Sequence, residues 1–172
     1  MNLLDSCFLC LDIGTHGVRG IAHRVCNANI DKSAFFAVEN SDTVFAIKSV
    51  VDELEKQIGK HFDSAYITGN FGVSKFDITA HNTTWGNEHK ISTSDIKNQI
   101  SQIVIPDDFF PMHIIPLRYD TPTGRNISSP VGFVDKELKS VFGNIFYSRC
   151  GVDKVYQIMR DAHIQPIALF DP

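Results

Sequence analysis

Cys7-Phe8-Leu9-Cys10-Leu11-Asp12-Ile13-Gly14-Thr15-His16-Gly17-Val18-Arg19-Gly20-Ile21-Ala22-His23-Arg24-Val25 reads as strand, tight turn and strand, and this stretch decides the fold. An apolar run of strand length ends on a carboxylate, Asp12. Gly14 and Gly17 then permit the positive φ values that a narrow hairpin turn needs. Successive backbone N–H groups in such a turn can converge on an anion without any side-chain charge. Thr15 adds a hydroxyl donor beside His16. Arg19 lies two residues beyond Gly17, so strand alternation puts both on one face, within reach of a phosphate. Asp12 is placed to hold the water shell of a Mg²⁺ that accompanies the phosphate. The same residues also describe an ordinary hairpin with a polar turn, because they match neither a Walker loop nor a dinucleotide fingerprint.

The chain of 172 residues has room for one domain or two small ones, and 43% hydrophobic content with 13 Phe supplies a real core. A net charge of −4 leaves no basic footprint for nucleic acid. No apolar run is long enough to span a membrane. The first residues lack the basic region of a secretion signal, so a cytoplasmic setting is expected. Cys7 and Cys10 form a C-x-x-C, but on a strand that spacing points the two side chains to opposite faces. With no second pair at zinc spacing, Cys7, Cys10, Cys26 and Cys150 are expected to be buried reduced thiols.

Downstream, residues 27–32 read as a polar turn and residues 33–38 as a third strand. Ser41 and Asp42 are helix-capping types before Ile47, Val50, Val51, Leu54 and Ile58, the spacing of one helical face, and Gly59 ends that helix. Residues 64–68 form a fourth strand that closes at Gly69 and Asn70. Three strands, a helix and a strand make an α/β opening. Beyond Gly72 the character changes. Residues 76–79 read as a strand, and residues 81–90 as a polar loop carrying the single tryptophan, Trp85, either as a partner anchor or as a locally packed residue. Ser92–Asp95 caps a helix with Ile96, Ile100, Ile103 and Val104 on one face, which Pro106 stops. Residues 112–116 resume as a strand whose proline marks an edge or a bulge. Residues 119–129 are a turn-rich excursion, residues 139–149 an apolar strand, residues 151–162 a helix and residues 166–170 a last strand. Asp171-Pro172 is an N-cap followed by a favoured first helical residue, so a further helix is expected to follow and the chain to be a piece of something longer. His81, His89, Asp107 and Asp108 form no convincing catalytic set, and catalytic and metal-ligating residues are expected to be absent.

Several blocks, in order, resemble the FtsA family of bacterial actin-like cell-division proteins. They are Leu11-Asp12-Ile13-Gly14-Thr15 with Val18, the segment IVIPDDFFPMHIIP of residues 103–116, Asn126-Ile127-Ser128-Ser129-Pro130-Val131-Gly132, and residues 150–172. A PilM-like pilus-assembly protein is a related possibility. The resemblance implies an α/β (α+β) fold. Residues 1–71 would be the first part of an actin/ribonuclease-H-like subdomain, residues 72–163 an inserted strand–helix–strand–strand (SHS2-type) domain, and residues 164–172 the return strand. It implies ATP with Mg²⁺ as cofactor, held by Asp12, Gly14, Thr15, His16, Gly17 and Arg19. FtsA-like proteins often carry Lys two residues after the Thr; Gly17 stands there, and Arg19 is the nearest cation. Partners would be other divisome proteins and FtsA-type subunits, at the cytoplasmic face of the inner membrane at the division site. Arg125 and Phe133, in an excursion long for a mere connection, are the candidate partner-binding residues. An alternative is an ATP-binding actin-like ATPase whose second half lies outside this chain. Because the resemblance puts the base and ribose contacts in that half, hydrolysis by this chain alone is not expected. Calorimetry with Mg-ATP is therefore expected to give at most millimolar affinity, on the order of −4 kcal/mol. A micromolar constant would mean that the second half of the site is not needed or comes from another chain.

Overall fold

Residues 6–69 and 72–170 are described by a computed structural model. β1 (Ser6–Ile13) and β2 (Gly17–Cys26) pair antiparallel from Ser6 opposite Val25 to Ile13 opposite Val18. β2 continues antiparallel into β3 (Asn29–Glu39), which begins earlier than the sequence indicated. The polar turn of residues 27–32 contracts to Asn27 and Ala28, both at positive φ (52° and 63°), as a two-residue hairpin of right-handed twist requires. β4 (Ser64–Gly69) and β8 (Gln165–Phe170) add in parallel, giving a five-stranded sheet in the order β3-β2-β1-β4-β8.

α1 (Thr43–Ile58) follows the expected pattern: Asp42 caps it by accepting the Phe45 N–H at 3.0 Å, and Gly59 ends it in the left-handed region at φ 79°. Its buried residues Ala46, Ile47, Val50, Val51, Leu54 and Ile58 lie over Leu11 and Gly20 of the sheet. Gly20 sets this approach. A Cβ there would stand 2.4 Å from Val50 Cγ1 and 2.7 Å from Leu54 Cδ1. α3 (Arg149–Asp161) buries Val152, Val155 and Met159.

The chain divides into two compact units, residues 1–72 with 150–172, and residues 73–149. α3 thus groups with the first unit, whereas the sequence reading of residues 72–163 had placed it in the insertion. The second unit runs β5 (Ser74–Lys90), α2 (Thr93–Ile100), β6 (Phe109–Asp120) and β7 (Val134–Ser148), with sheet order β5-β7-β6. β6 is therefore an edge strand, and its register shifts after Pro111 and Pro116, where the missing N–H groups interrupt the ladder.

β5 corrects the sequence reading most. The expected polar loop of residues 81–90 is strand, interrupted between Thr84 and His89. Its inward residues Thr79, His81, Thr83 and Trp85 are only half-buried and mostly polar, so no hydrophobic alternation announced it. Trp85 is locally packed: it lies against the core of Ile91, Leu138, Phe142 and Phe146 and stacks on His89 at 4.3 Å. The second helix also departs from expectation. It stops at Ile100, Val104 is 82% exposed, and the fully buried helical residue is Gln99. The Gln99 amide donates to Thr83 Oγ1 at 2.9 Å and to the Leu138 carbonyl at 3.0 Å, and accepts from the Ser140 hydroxyl. Nor are the thiols buried as expected: Cys7, Cys10 and Cys26 are half-buried and Cys150 is exposed. The cap signal at Asp171-Pro172 lies outside the described residues.

Gly20→Ala is expected to force α1 off the sheet, an overpacking that costs about 1–3 kcal/mol. A lowered urea midpoint with unchanged slope tests it; an unchanged midpoint would show that Val50 and Leu54 yield without cost.

Candidate functional site

The turn between β1 and β2 is closed by the Gly14 N–H donating to the Gly17 carbonyl at 2.9 Å, while the Asn40 N–H donates to the His16 carbonyl at 3.1 Å. Neither turn glycine has positive φ, contrary to the sequence reading. Gly17 is needed for space instead, since a Cβ there would stand 2.3 Å from the Val38 carbonyl oxygen. Gly69, which sequence reasoning passed over as a mere strand end, pairs with Ile13 just before the turn. At φ 146°, it brings the end of β4 so close that a Cβ would lie 2.3 Å from the Ile13 carbonyl.

Asp12 and Arg19 are cross-strand neighbours, and their charged groups stand 3.8 Å apart with Arg19 73% exposed. Such an exposed pair contributes roughly 0–1 kcal/mol, so each group stays available to another partner. Two hollows flank the turn. One, of about 210 Å³, is lined by Asp12, Thr15, His16, Gly17, Arg19 and Glu39. The other, of about 370 Å³, is lined by Gly14, Thr15, Thr43, Gly151 and Lys154 among others. All six turn residues singled out in the sequence thus line the smaller hollow, whereas Thr43 and Lys154, from distant segments that carried no local motif, meet only Gly14 and Thr15 of them in the larger one. The Asp12 carboxylate and the Thr15 hydroxyl are of the chemistry that suits a hydrated Mg²⁺ and a phosphate. No group of three or more metal-ligating side chains occurs among the described residues.

In the second unit, Arg125 lines a cleft of about 650 Å³ with Arg118, Asp120, Thr121, Glu137 and Lys139. Arg118 pairs with Asp120 at 2.9 Å and Lys139 with Glu137 at 3.3 Å. Arg125 has no salt bridge among the described residues. Phe133 is exposed but does not line this cleft, so the two candidate partner residues stand apart. The cleft continues the outer face of the β5-β7-β6 sheet. There Phe76, Ile78, Ile115 and Leu117 are each about half exposed or more, and Phe76 and Leu117 close over Gly143 from either side. The excursion is held to its own sheet by Asp135, whose carboxylate accepts from the Thr123 hydroxyl at 2.7 Å, the Thr123 N–H at 3.1 Å and the Lys136 N–H at 2.8 Å. The Thr123 hydroxyl, foremost, holds the Asp135 carboxyl below its usual range against the effect of burial.

No helix of the described residues is long and apolar enough to cross a membrane. The described residues form a mixed α+β architecture of a five-stranded and a three-stranded sheet with three helices. No protein-family model matches the chain, and no curated protein matches it. It is similar to a solved structure of the PilM-PilN type IV pilus biogenesis complex, with 13% identity and a TM-score of 0.50 over 94% of this chain and 46% of that one. The chain thus spans less than half the length of that neighbour, and the likeness concerns the fold.

A depressed carboxyl pKa contributes stability above the unfolded value, and that contribution is lost as pH falls through the folded one. Thr123→Val is therefore expected to lower the thermal midpoint at pH 7, with the difference from the parent narrowing below about pH 4. A pH-independent difference would mean that the hydroxyl does not act through Asp135.

Proposed function

We propose that the chain is part of an actin-like assembly protein of the PilM and FtsA kind, working through protein–protein contacts and carrying part of a nucleotide site. The observation that carries this reading is the exposed outer face of the second unit, where an apolar surface runs into a cleft in which Arg125 has no salt bridge among the described residues. Arginine and aromatic side chains are the types that dominate interface energetics, and truncating a central one costs roughly 2 kcal/mol or more. The order strand, helix, strand, strand in β5, α2, β6 and β7 supports assigning residues 72–163 to an SHS2-type insertion within an actin/ribonuclease-H-like subdomain, although α3 packs with the latter. Asp12, Gly14, Thr15, His16, Gly17 and Arg19 would then form the chain's share of an ATP site with Mg²⁺.

Two settings share this mechanism. The fold likeness supports a PilM-like role, with a partner of the type IV pilus apparatus. The sequence blocks around Asp12, residues 103–116 and Asn126–Gly132 support an FtsA-like role among divisome proteins at the inner membrane. A pull-down against purified division and pilus-assembly proteins separates them. In it, the pair Arg125→Ala with Phe133→Ala is expected to lose the partner, while Asp12→Ala with Arg19→Ala retains it. Loss confined to the second pair would make the turn the working site and overturn the assembly reading.

A further inference from the structure

We propose that Lys154 is the phosphate-binding cation of this chain, supplying from α3 the charge that the turn itself lacks at Gly17. The inference rests on the phosphate reading of the β1–β2 turn and adds to it the side on which the anion sits. Asp12 and Arg19 pair with each other, and strand alternation puts them on the sheet face opposite to that of buried Leu11 and Ile13. The larger hollow lies on the Ile13 side and is lined by Ile13, Gly14, Thr15, Thr43 and Lys154. An anion held there by the turn has no carboxylate among the lining residues to repel it. On the other side it meets Asp12 and Glu39.

Three features converge on the larger hollow. Thr15 lines both hollows. Thr43 is the first residue of a 16-residue helix, whose N-terminal end favours negative charge. The Asp42 carboxylate at that end is engaged in capping, through the Phe45 N–H. Lys154 stands exposed one turn into α3, with no carboxylate paired to it among the described residues, so its ammonium is available. Its flexible stem suits a point-charge contact with a phosphate oxygen rather than a bidentate one. Gly151, one turn earlier on the same helix, lines the hollow without a side chain to obstruct entry. The ligand class is a di- or triphosphate group.

Amide chemical shifts of the full chain, titrated with magnesium tripolyphosphate, test the inference. Shifts at Gly14, Thr15 and His16 are expected, with the apparent constant weakened about three- to fivefold in Lys154→Ala and restored in Lys154→Arg. Arg160→Ala, in the last turn of the same helix and outside both hollows, should leave it unchanged. Raising the salt should shrink the difference between parent and Lys154→Ala. Turn shifts that persist in Lys154→Ala and vanish in Arg19→Ala would overturn the role of Lys154 while leaving the phosphate reading intact. No turn shifts in the parent chain would overturn both.

Discussion

The first unit depends on how closely its backbone segments approach one another around β1. Gly17 admits the β3 backbone, Gly69 admits Ile13, and Gly20 admits the side chains of α1, each at distances a Cβ would forbid. The sheet register, the seating of α1 and the position of the β1–β2 turn all follow from these approaches. The interior there is close-packed, so a single methyl group is felt across several elements. The turn is therefore held by its surroundings as well as by its own hydrogen bond.

The second unit solves a different problem. Its sheet is narrow, and the inward side of β5 is polar, so a purely apolar interior was not available. Gln99 answers by reaching from α2 to β5 and β7 at once, and Asn144 on β7 donates to Thr79 of β5 at 3.0 Å. A buried amide with its partners in place fixes orientation, because any rotation of the helix strands several polar groups together. Asp95 adds a second fixed point. Burial would raise its pKa, but hydrogen bonds from Ser92 and His89 outweigh that and hold its carboxyl low at the start of α2.

The parts legible in the sequence are those in which one residue type does one local job. α1 showed its apolar face and both caps, and β1 and β2 declared themselves by an apolar run and a glycine turn. β5 was hidden because Thr79, His81 and Thr83 carry none of the alternation that marks a half-buried strand. Gln99 was hidden because a polar residue on a helix is ordinarily a solvent-facing one. At the site, the turn residues were legible as a string, whereas Lys154 and Thr43 joined them through tertiary folding. Gly17 was identified correctly but for the wrong reason: its role is clearance, not backbone handedness.

The placement of Trp85 gives the molecule a built-in optical partition. It is the single indole of the chain, and it belongs to the second unit, stacked on His89 beside that unit's core. Its emission therefore follows the melting of residues 73–149. Backbone ellipticity averages over both units. Where the two signals coincide during denaturation, the units unfold as one cooperative body; where they separate, the gap measures how independently each stands.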